Sequence, residues 1–313
     1  MLGRTANGLY WMFRYIERAE NIARLLGAAM RVSLTRSGSG TEDWDGVLQS
    51  TGLIDDYLKV HDKVTQADAI DFLLRERSTN SSVMCCIEHG RNNARMVRTA
   101  LTRETWEATN EFWIAMKALT ARKTKTAELP DVVDEIKNRA GLVRGAFHGT
   151  MLRNELYNFA KLGTSIERAD STARILNTKY YVLLPAASSI VSSIENAQWE
   201  SILRSVSAHR AYGWVYDGEY NASNIADFLI LNEQMPRSLA YCYGKIVGNL
   251  NFLSRTPEER LPAHQTAEAI YATLKEASIK QVMDRGLHDF LEDFVAKNAQ
   301  LDQEITTGYR FYQ

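Results

Sequence analysis

Three stretches in the first half of this chain recur, in the same order, in its second half. The matching pairs are YIERAENIAR at 15–24 with SIERADSTAR at 165–174, WDGVLQSTGLIDDY at 44–57 with WESILRSVSAHRAY at 199–212, and DFLLRERSTNSSVMCC at 71–86 with DFLILNEQMPRSLAYC at 227–242. The separations are 150, 155 and 156 residues, so the register is kept apart from small insertions. Self-similarity at a fixed spacing is typical of a duplicated structural unit. The sequence therefore predicts two similar halves, residues 1–148 and 149–313, packed about an approximate two-fold axis as one compact unit.

Both halves are predicted to be helical. Proline accounts for only 5 of the 313 residues, about 1.6% against a usual level of about 5%, so few positions force a helix to end. Residues 5–36 and 149–183 keep apolar side chains at helical spacing, and the second stretch ends at Pro185. No stretch keeps the two-residue period of a strand for long. We expect an all-α protein, a helical bundle built from two tandem pseudo-symmetric repeats.

Charge and composition argue against several classes of protein. The chain has 37 Lys and Arg against 38 Asp and Glu, whereas proteins that bind nucleic acid usually carry a strong basic excess. It contains no run of about 18 apolar residues, the length that a membrane-spanning helix needs. Its three cysteines, Cys85, Cys86 and Cys242, are odd in number and include an adjacent pair. They do not form a disulfide framework, which indicates a reducing, cytoplasmic location.

Motifs that hold metals, nucleotides or activated serines are absent from the sequence. The six histidines show neither HExxH nor the paired Glu-x-x-His spacing of a di-metal bundle. The stretch SGSGT at 37–41 lacks the lysine that opens the helix after a phosphate-binding loop. A GxSxG nucleophile motif is also missing. We therefore expect no metal and no cofactor.

A polar stripe is repeated along the predicted helices. Glu precedes Arg by seven residues at 17 and 24, at 88 and 95, and at 167 and 174. Seven steps of about 100° return close to the starting direction, so each pair shares one helix face. The stripe has three interpretations: a solvated face, Glu–Arg pairs that join the two halves, or a pocket that binds a carboxylate, phosphate or amine.

The same stretches resemble the bacterial alpha-E domain family. The resemblance is carried by MLGRTANGLYWMFRYIERAENIARLL, NSSVMCCIEHGRNNARMVRTALTRETWEATN, FAKLGTSIERADSTARILNTKYY and FLILNEQMPRSLAYC, and it covers about residues 1–280. Members of this family are all-α and typically occur beside, or fused to, a circularly permuted ATP-grasp ligase. Transglutaminase-like proteases are frequent companions. The resemblance thus implies a part in making or processing a peptide-like amide.

Carried over position by position, the resemblance implies a set of site residues. The first polar motif is Tyr10, Arg14, Glu17, Arg18, Glu20, Asn21 and Arg24; the middle motif is Arg91, Asn93 and Arg95; the second copy is Glu167, Arg168, Asp170 and Arg174; a last element is Pro236, Arg237 and Ser238. The middle motif departs from the family pattern, because Asn92 stands where a carboxylate is expected.

These residues support a hypothesis for function. The chain would be an accessory or substrate-binding subunit of an ATP-grasp amide ligase, taking a peptide-like or amino-acid substrate. The arginines would clamp carboxylates or an acyl phosphate, and Glu17 and Glu167 would orient them or receive an amine. Two alternatives stay open. The chain could be an acyl or aminoacyl transferase, or an amide-processing enzyme, with Glu17 or Glu167 as a catalytic general base of raised pKa, or it could be a pure scaffold. A site on one half should break the symmetry, as Asn21 against Ser171 does.

Overall fold

The computed structural model describes residues 3–35, 41–182, 192–254 and 256–312, and within these ranges it contains helices and no strand. The all-α prediction is confirmed. The helices of the first half are α1 (Gly3–Thr35), α2 (Thr41–Thr51), α3 (Ile54–Leu58), α4 (Gln66–Arg75), α5 (Val83–Met96), α6 (Arg103–Leu119) and α7 (Leu129–Thr150). Those that follow are α8 (Glu155–Val182), α9 (Ser192–Ser205), α10 (His209–Tyr216), α11 (Ala222–Ile230), α12 (Leu239–Leu253), α13 (Pro262–Glu276), α14 (Ile279–Arg285) and α15 (Leu287–Gly308). Most of the SGSGT stretch, and Pro185, lie outside the described residues.

Helix α1 lies at the centre of the bundle. Helices α5, α7, α8 and α9 all pack against it, and apolar side chains such as Leu9, Met12 and Ile16 are buried along it. Because α1 is covered on so many sides, its polar stripe is buried as well, with Glu17 1% and Glu20 0% exposed. Buried charges are costly unless they are paired. The position of α1 therefore obliges its polar side chains to find partners on neighbouring helices.

The closest neighbour of α1 is α8, which runs beside it in the same direction. Gly163 lies against the backbone of Tyr10, and four residues further along both helices Glu167 reaches Arg14. A Cβ atom on Gly163 would stand 2.2 Å from the carbonyl oxygen of Tyr10. Only glycine allows two helix backbones to approach this closely. Helix α15 also packs on α8, which brings Asp302 beside α1.

Local features recur at positions that the sequence comparison matches. Ser82 and Ser238 begin α5 and α12, each accepting a hydrogen bond from the backbone N–H three residues on. Tyr57 and Tyr212 are fully buried, and the hydroxyl of each donates to a backbone carbonyl six or seven residues on. Helix α5 packs on α1, and α12 packs on α8. The same residue types thus start helices and fill the core at matched positions.

The cysteines are core residues. Cys85, Cys86 and Cys242 are buried and unpaired, and burial raises the pKa of Cys86 and Cys242 to about 12. A thiol with so high a pKa is a poor nucleophile and packs as a small apolar side chain.

No helix in the described ranges has both the length and the apolar character needed to cross a membrane.

We predict that Gly163→Ala destabilises the protein. Alanine favours an isolated helix by up to about 1 kcal/mol over glycine, but here its methyl group would push α8 away from Tyr10, and overpacking of this kind costs about 1–3 kcal/mol. Denaturant unfolding measures the difference. Gly145→Ala on α7 is the matched control, because nothing lies within 4 Å of a Cβ at that position; it should be neutral or stabilising. A Gly163→Ala protein as stable as its Gly145→Ala counterpart would contradict the close approach of α1 and α8.

Candidate functional site

Two Glu-Arg dipeptides, Glu17-Arg18 on α1 and Glu167-Arg168 on α8, form ion pairs with each other. Arg168 donates to both carboxylate oxygens of Glu17, with Nε–Oε1 at 2.9 Å and Nη2–Oε2 at 2.8 Å. Arg18 does the same to Glu167, with Nε–Oε1 at 2.6 Å and Nη2–Oε2 at 2.9 Å. Such bidentate pairs are among the stronger hydrogen-bonded contacts in proteins. The arrangement is reciprocal, because each helix supplies the acid of one pair and the base of the other.

The Glu167 pair extends toward α15. Arg14 Nε donates to Glu167 at 3.0 Å, and its Nη1 lies 2.7 Å from a carboxylate oxygen of Asp302. The hydroxyl of Tyr10, itself fully buried, also donates to Asp302. Two guanidinium groups therefore face two carboxylates on this side of the network, so the charge is balanced.

The Glu17 pair is richer in arginine. Arg237, from the turn before α12, lies 2.8 Å from Glu17 and donates to Asn21 Oδ1 at 2.7 Å. Glu20, on the next turn of α1, contacts Arg24, Arg144 and, at 3.5 Å, Arg237. Four guanidinium groups (Arg24, Arg144, Arg168 and Arg237) surround two carboxylates here. This side of the network thus carries a surplus of positive charge.

The surplus of positive charge contributes to lowered pKa values of the basic groups on this side. Burial, together with repulsion from Arg168, lowers the pKa of Arg237, and the same causes lower the pKa of Arg24 and Arg144. Lys161 is nearby, and burial followed by repulsion from Arg168 lowers its pKa to about 8. An additional anion in this region would be stabilised by these groups.

Both central glutamates are held in the ionised form. Burial by itself would raise the pKa of Glu17, but Arg168 and Arg237 outweigh burial and lower it. At Glu167 burial is likewise outweighed by Arg18 and Arg14, and the pKa falls. A general base for the enzyme alternative needs a raised carboxylate pKa. The structure gives the opposite shift at both positions, because arginines already occupy the carboxylates.

The other residues implied by the resemblance are placed in different ways. Arg174 pairs with Asp170 at 2.7 Å, one turn along α8 from Glu167, and Ser238 caps α12. The middle motif does not join the network: Arg91 stacks on Trp113 and donates to Asn110 at 2.7 Å, the Asn93 side chain bonds to the His89 carbonyl, and Arg95 is exposed. Sequence reasoning missed Arg144 and Asp302, since neither α7 nor α15 carries a matched motif.

A wide basic cleft opens beside the part of α1 that follows the network, from Arg24 to Arg31. It has a volume of about 700 Å³, and its walls come from α1, α7, the end of α9 and α10. The cationic side chains that line it are Arg24, Arg31, Lys137, Arg204 and Arg210. Among the described residues no carboxylate lines it, and the exposed Trp214 and the half-buried Tyr220 provide flat apolar surface. We call this the basic cleft.

A second cleft opens beside Glu167 and has a different character. Its volume is about 470 Å³, and it lies between α1, α8, the turn after α2 and the turn before α5. Its charged lining residues are Arg18, Asp56, Glu167, Asp170 and Arg174. Three carboxylates thus face two guanidinium groups. We call this the Glu167 cleft; it is where the structure brings motif residues of α1 and α8 together around open space.

No group of three or more His, Cys, Asp or Glu within the described ranges is placed to bind a metal.

We predict that the lowered pKa values of Glu17 and Glu167 make the protein acid-labile. Above the unfolded-state carboxyl pKa of about 4.3 both states are ionised and the stabilisation is complete. Below it the unfolded chain binds protons that the folded protein does not, so stability is lost as the pH falls. Each glutamate should add about 1.4 kcal/mol per pH unit to this slope.

Urea unfolding between pH 3 and 7 tests the slope. Glu167→Gln should flatten it below pH 4.3, whereas Glu104→Gln, which removes an exposed carboxylate of α6, should leave it unchanged. Parallel slopes in the wild type and the Glu167→Gln variant would contradict the pairing described above.

Comparison with known proteins places the chain in a family. The chain is 25% identical over 284 residues to an uncharacterised protein of Mycobacterium bovis and, equally, to one of Mycobacterium tuberculosis. The match covers 85% of this chain but 31% of those relatives, so the chain spans about a third of their length. No solved structure matches it. The family Alpha-E, described as a predicted alpha-helical domain with a conserved ER motif, matches residues 1–309. With nearly its whole length matched, the chain belongs to the Alpha-E family.

Proposed function

We propose that the chain arose by tandem duplication and that its two Glu-Arg dipeptides form the pseudo-two-fold centre. Three observations support this. The sequence repeat keeps its register, the caps at Ser82 and Ser238 recur at matched positions, and the ion pairs between α1 and α8 are reciprocal. Reciprocal contacts are what a two-fold axis requires, because each half then offers the same surface to the other.

We further propose that the protein is a substrate-binding subunit acting with an ATP-grasp amide ligase on a peptide-like or amino-acid substrate. The observation that carries this proposal is the basic cleft, which five cationic side chains line with no lining carboxylate among the described residues. Three of the five, Arg24, Lys137 and Arg204, pair with carboxylates outside the lining. Clefts of several hundred Å³ with convergent polar groups are the usual form of small-ligand sites. Arginine is well suited to carboxylate and phosphate, because its planar guanidinium offers paired donors.

The ligand class follows from the chemistry of the walls. Arg31 and Arg210 are exposed side chains on facing elements of the cleft, so both are available to an anion. Arg24 joins the cleft to the buried network, where it pairs with Glu20. A carboxylate of a growing peptide, or an acyl phosphate, would find these cations already in place. In this scheme Glu17 and Glu167 position arginines, and the activation by ATP belongs to the ligase.

The mycobacterial relatives are consistent with a role beside another domain. This chain spans about a third of their length, so in those proteins the matched region is one part of a longer chain. A helical substrate-binding unit joined to further domains fits the companion role that the family resemblance implies. A pure scaffold needs no cationic cleft, and the basic cleft favours substrate binding over scaffolding.

We predict that Arg31→Gln combined with Arg210→Gln weakens the binding of a tri-glutamate peptide at least tenfold, with a smaller effect on inorganic phosphate. Isothermal titration calorimetry at low and high salt measures this, and the wild-type affinity should fall as salt rises, since exposed charges are screened. Arg103→Gln is the matched control, because Arg103 is exposed on α6 outside the cleft. Equal affinities in the control and the double variant would contradict anion binding in the basic cleft.

The link to ligation needs its own assay. Product formation by an ATP-grasp ligase, supplied with ATP and an amino-acid pool, should increase when this protein is added and fall again with the Arg31→Gln, Arg210→Gln variant. Identical products with and without the protein would contradict the role as a substrate-binding subunit and leave scaffolding or a later processing step.

A further inference from the structure

The two sides of the Glu-Arg network differ at several positions, and one of them is the position of Arg237. In the matched stretches 71–86 and 227–242, Ser81 stands opposite Arg237. On the Glu17 side the guanidinium group of Arg237 is buried among three side chains of α1, and its partners there are Glu17, Glu20 and Asn21. The counterparts of these partners on α8 are Glu167, Asp170 and Ser171. On that side no arginine arrives from the turn before α5, because the chain has a serine.

Where Arg237 fills space on one side, the other side is open. All three counterparts, together with Ser81 itself, line the Glu167 cleft of about 470 Å³. The lining residues nearest in sequence to Ser81 are the small polar Ser78, Thr79 and Asn80. Arg18 lies in this region and donates to Glu167 at 2.9 Å and to Ser81 at 3.2 Å. On the other side Arg168 donates to Glu17 at 2.9 Å and to the carbonyl of Pro236, the residue before Arg237, at 3.3 Å. The cleft thus opens at the position that the repeat matches with the site of the Arg237 guanidinium.

The cleft offers carboxylate oxygens to a cation. Those of Asp56, Glu167 and Asp170 line it, and each carboxylate also pairs with cations of the chain, namely Lys59, Arg14 with Arg18, and Arg174. The Glu17 side, in contrast, has four arginines around two acids with Arg237 in place. Opposite charge and a planar bidentate fit are the features by which carboxylates recognise guanidinium groups.

A polar atom without a hydrogen-bond partner belongs to a residue that lines this cleft. Asn21 is 6% exposed and lines the cleft; its Oδ1 accepts from Arg237, while its Nδ2 is buried with no hydrogen-bond partner. An unsatisfied buried donor costs free energy, which a ligand with an acceptor oxygen would recover. A guanidinium compound that also carries a carboxylate or carbonyl oxygen matches both requirements.

We propose that the Glu167 cleft binds the guanidinium group of an arginine-like ligand in the position that the Arg237 side chain takes on the matched side. The proposal rests on the duplication proposed above and deepens the substrate-binding role by naming the chemical class of one substrate. An arginine residue or free arginine carries the guanidinium for Glu167 and Asp170 and a carboxylate or carbonyl oxygen for Asn21. The basic cleft would hold an anionic substrate separately.

Calorimetric titration with L-arginine tests this, with L-citrulline as the neutral ligand of the same shape. The wild-type protein should bind arginine at least tenfold more tightly than citrulline. Ser81→Arg should weaken arginine binding at least tenfold, because its own guanidinium would fill the cleft as Arg237 does opposite. Thr126→Arg adds the same side chain at an exposed position and should leave binding unchanged.

A second variant covers the case in which Ser81→Arg does not fold. Asp170→Asn removes one carboxylate of the cleft from a partly exposed pair and should also weaken arginine binding at least tenfold. No arginine binding by the wild type, equal binding of citrulline, or undiminished binding by the folded Ser81→Arg or Asp170→Asn variant would overturn the proposal. Tri-glutamate binding should survive in both variants, so failure here is distinguishable from failure of the basic cleft.

Discussion

The exchange of Glu–Arg pairs between α1 and α8 is the interaction on which the rest of the structure depends. Helix α1 is covered by α5, α7, α8 and α9, so the carboxylates of its charged stripe, Glu17 and Glu20, are shielded from bulk water. Removing a carboxylate from water costs several kcal/mol, and only close, well-oriented partners offset that cost. The glycine at position 163 lets α8 come near enough to supply them. The close packing of α8 on α1 and the ion pairing between these helices therefore depend on each other.

We infer that the pairs specify geometry more than they add stability. A purely apolar interface would accept several registers between two helices, whereas bidentate pairs in both directions are satisfied in only one. Buried ion pairs are known to contribute in this way in some proteins, although well-packed apolar residues can be as stable. For this chain the consequence is a centre of defined register from which two clefts with different charged linings open. The basic cleft lies on the arginine-rich side, and the Glu167 cleft lies on the side that lacks an arginine at position 81.

Much of the fold could be predicted from the sequence, because helical periodicity and scarce proline are local signals. The repeat also indicated that Glu17 and Glu167 matter, since identity rather than mere charge recurs around them. The sequence could not show that Glu17 pairs with Arg168 rather than with Arg24, because partner choice depends on how helices distant in sequence pack. The parts that Arg144 and Asp302 play in the network could not be predicted for the same reason. Arg91, in contrast, was grouped with the motif by resemblance, yet the packing of α5 on α6 turns it toward Trp113.

The central claim, that the reciprocal Glu–Arg pairs hold α1 and α8 in register, is tested most directly by a double-mutant cycle. Unfolding free energies would be measured for the wild type, Arg18→Met, Glu167→Gln and the double variant. Each single change leaves a buried charge or polar group without its partner, with an expected cost of about 3–5 kcal/mol. The account predicts that the double variant loses at least about 1.5 kcal/mol less than the two single losses added together. Single effects that add to within about 0.5 kcal/mol would mean that the two side chains act independently and would contradict the account.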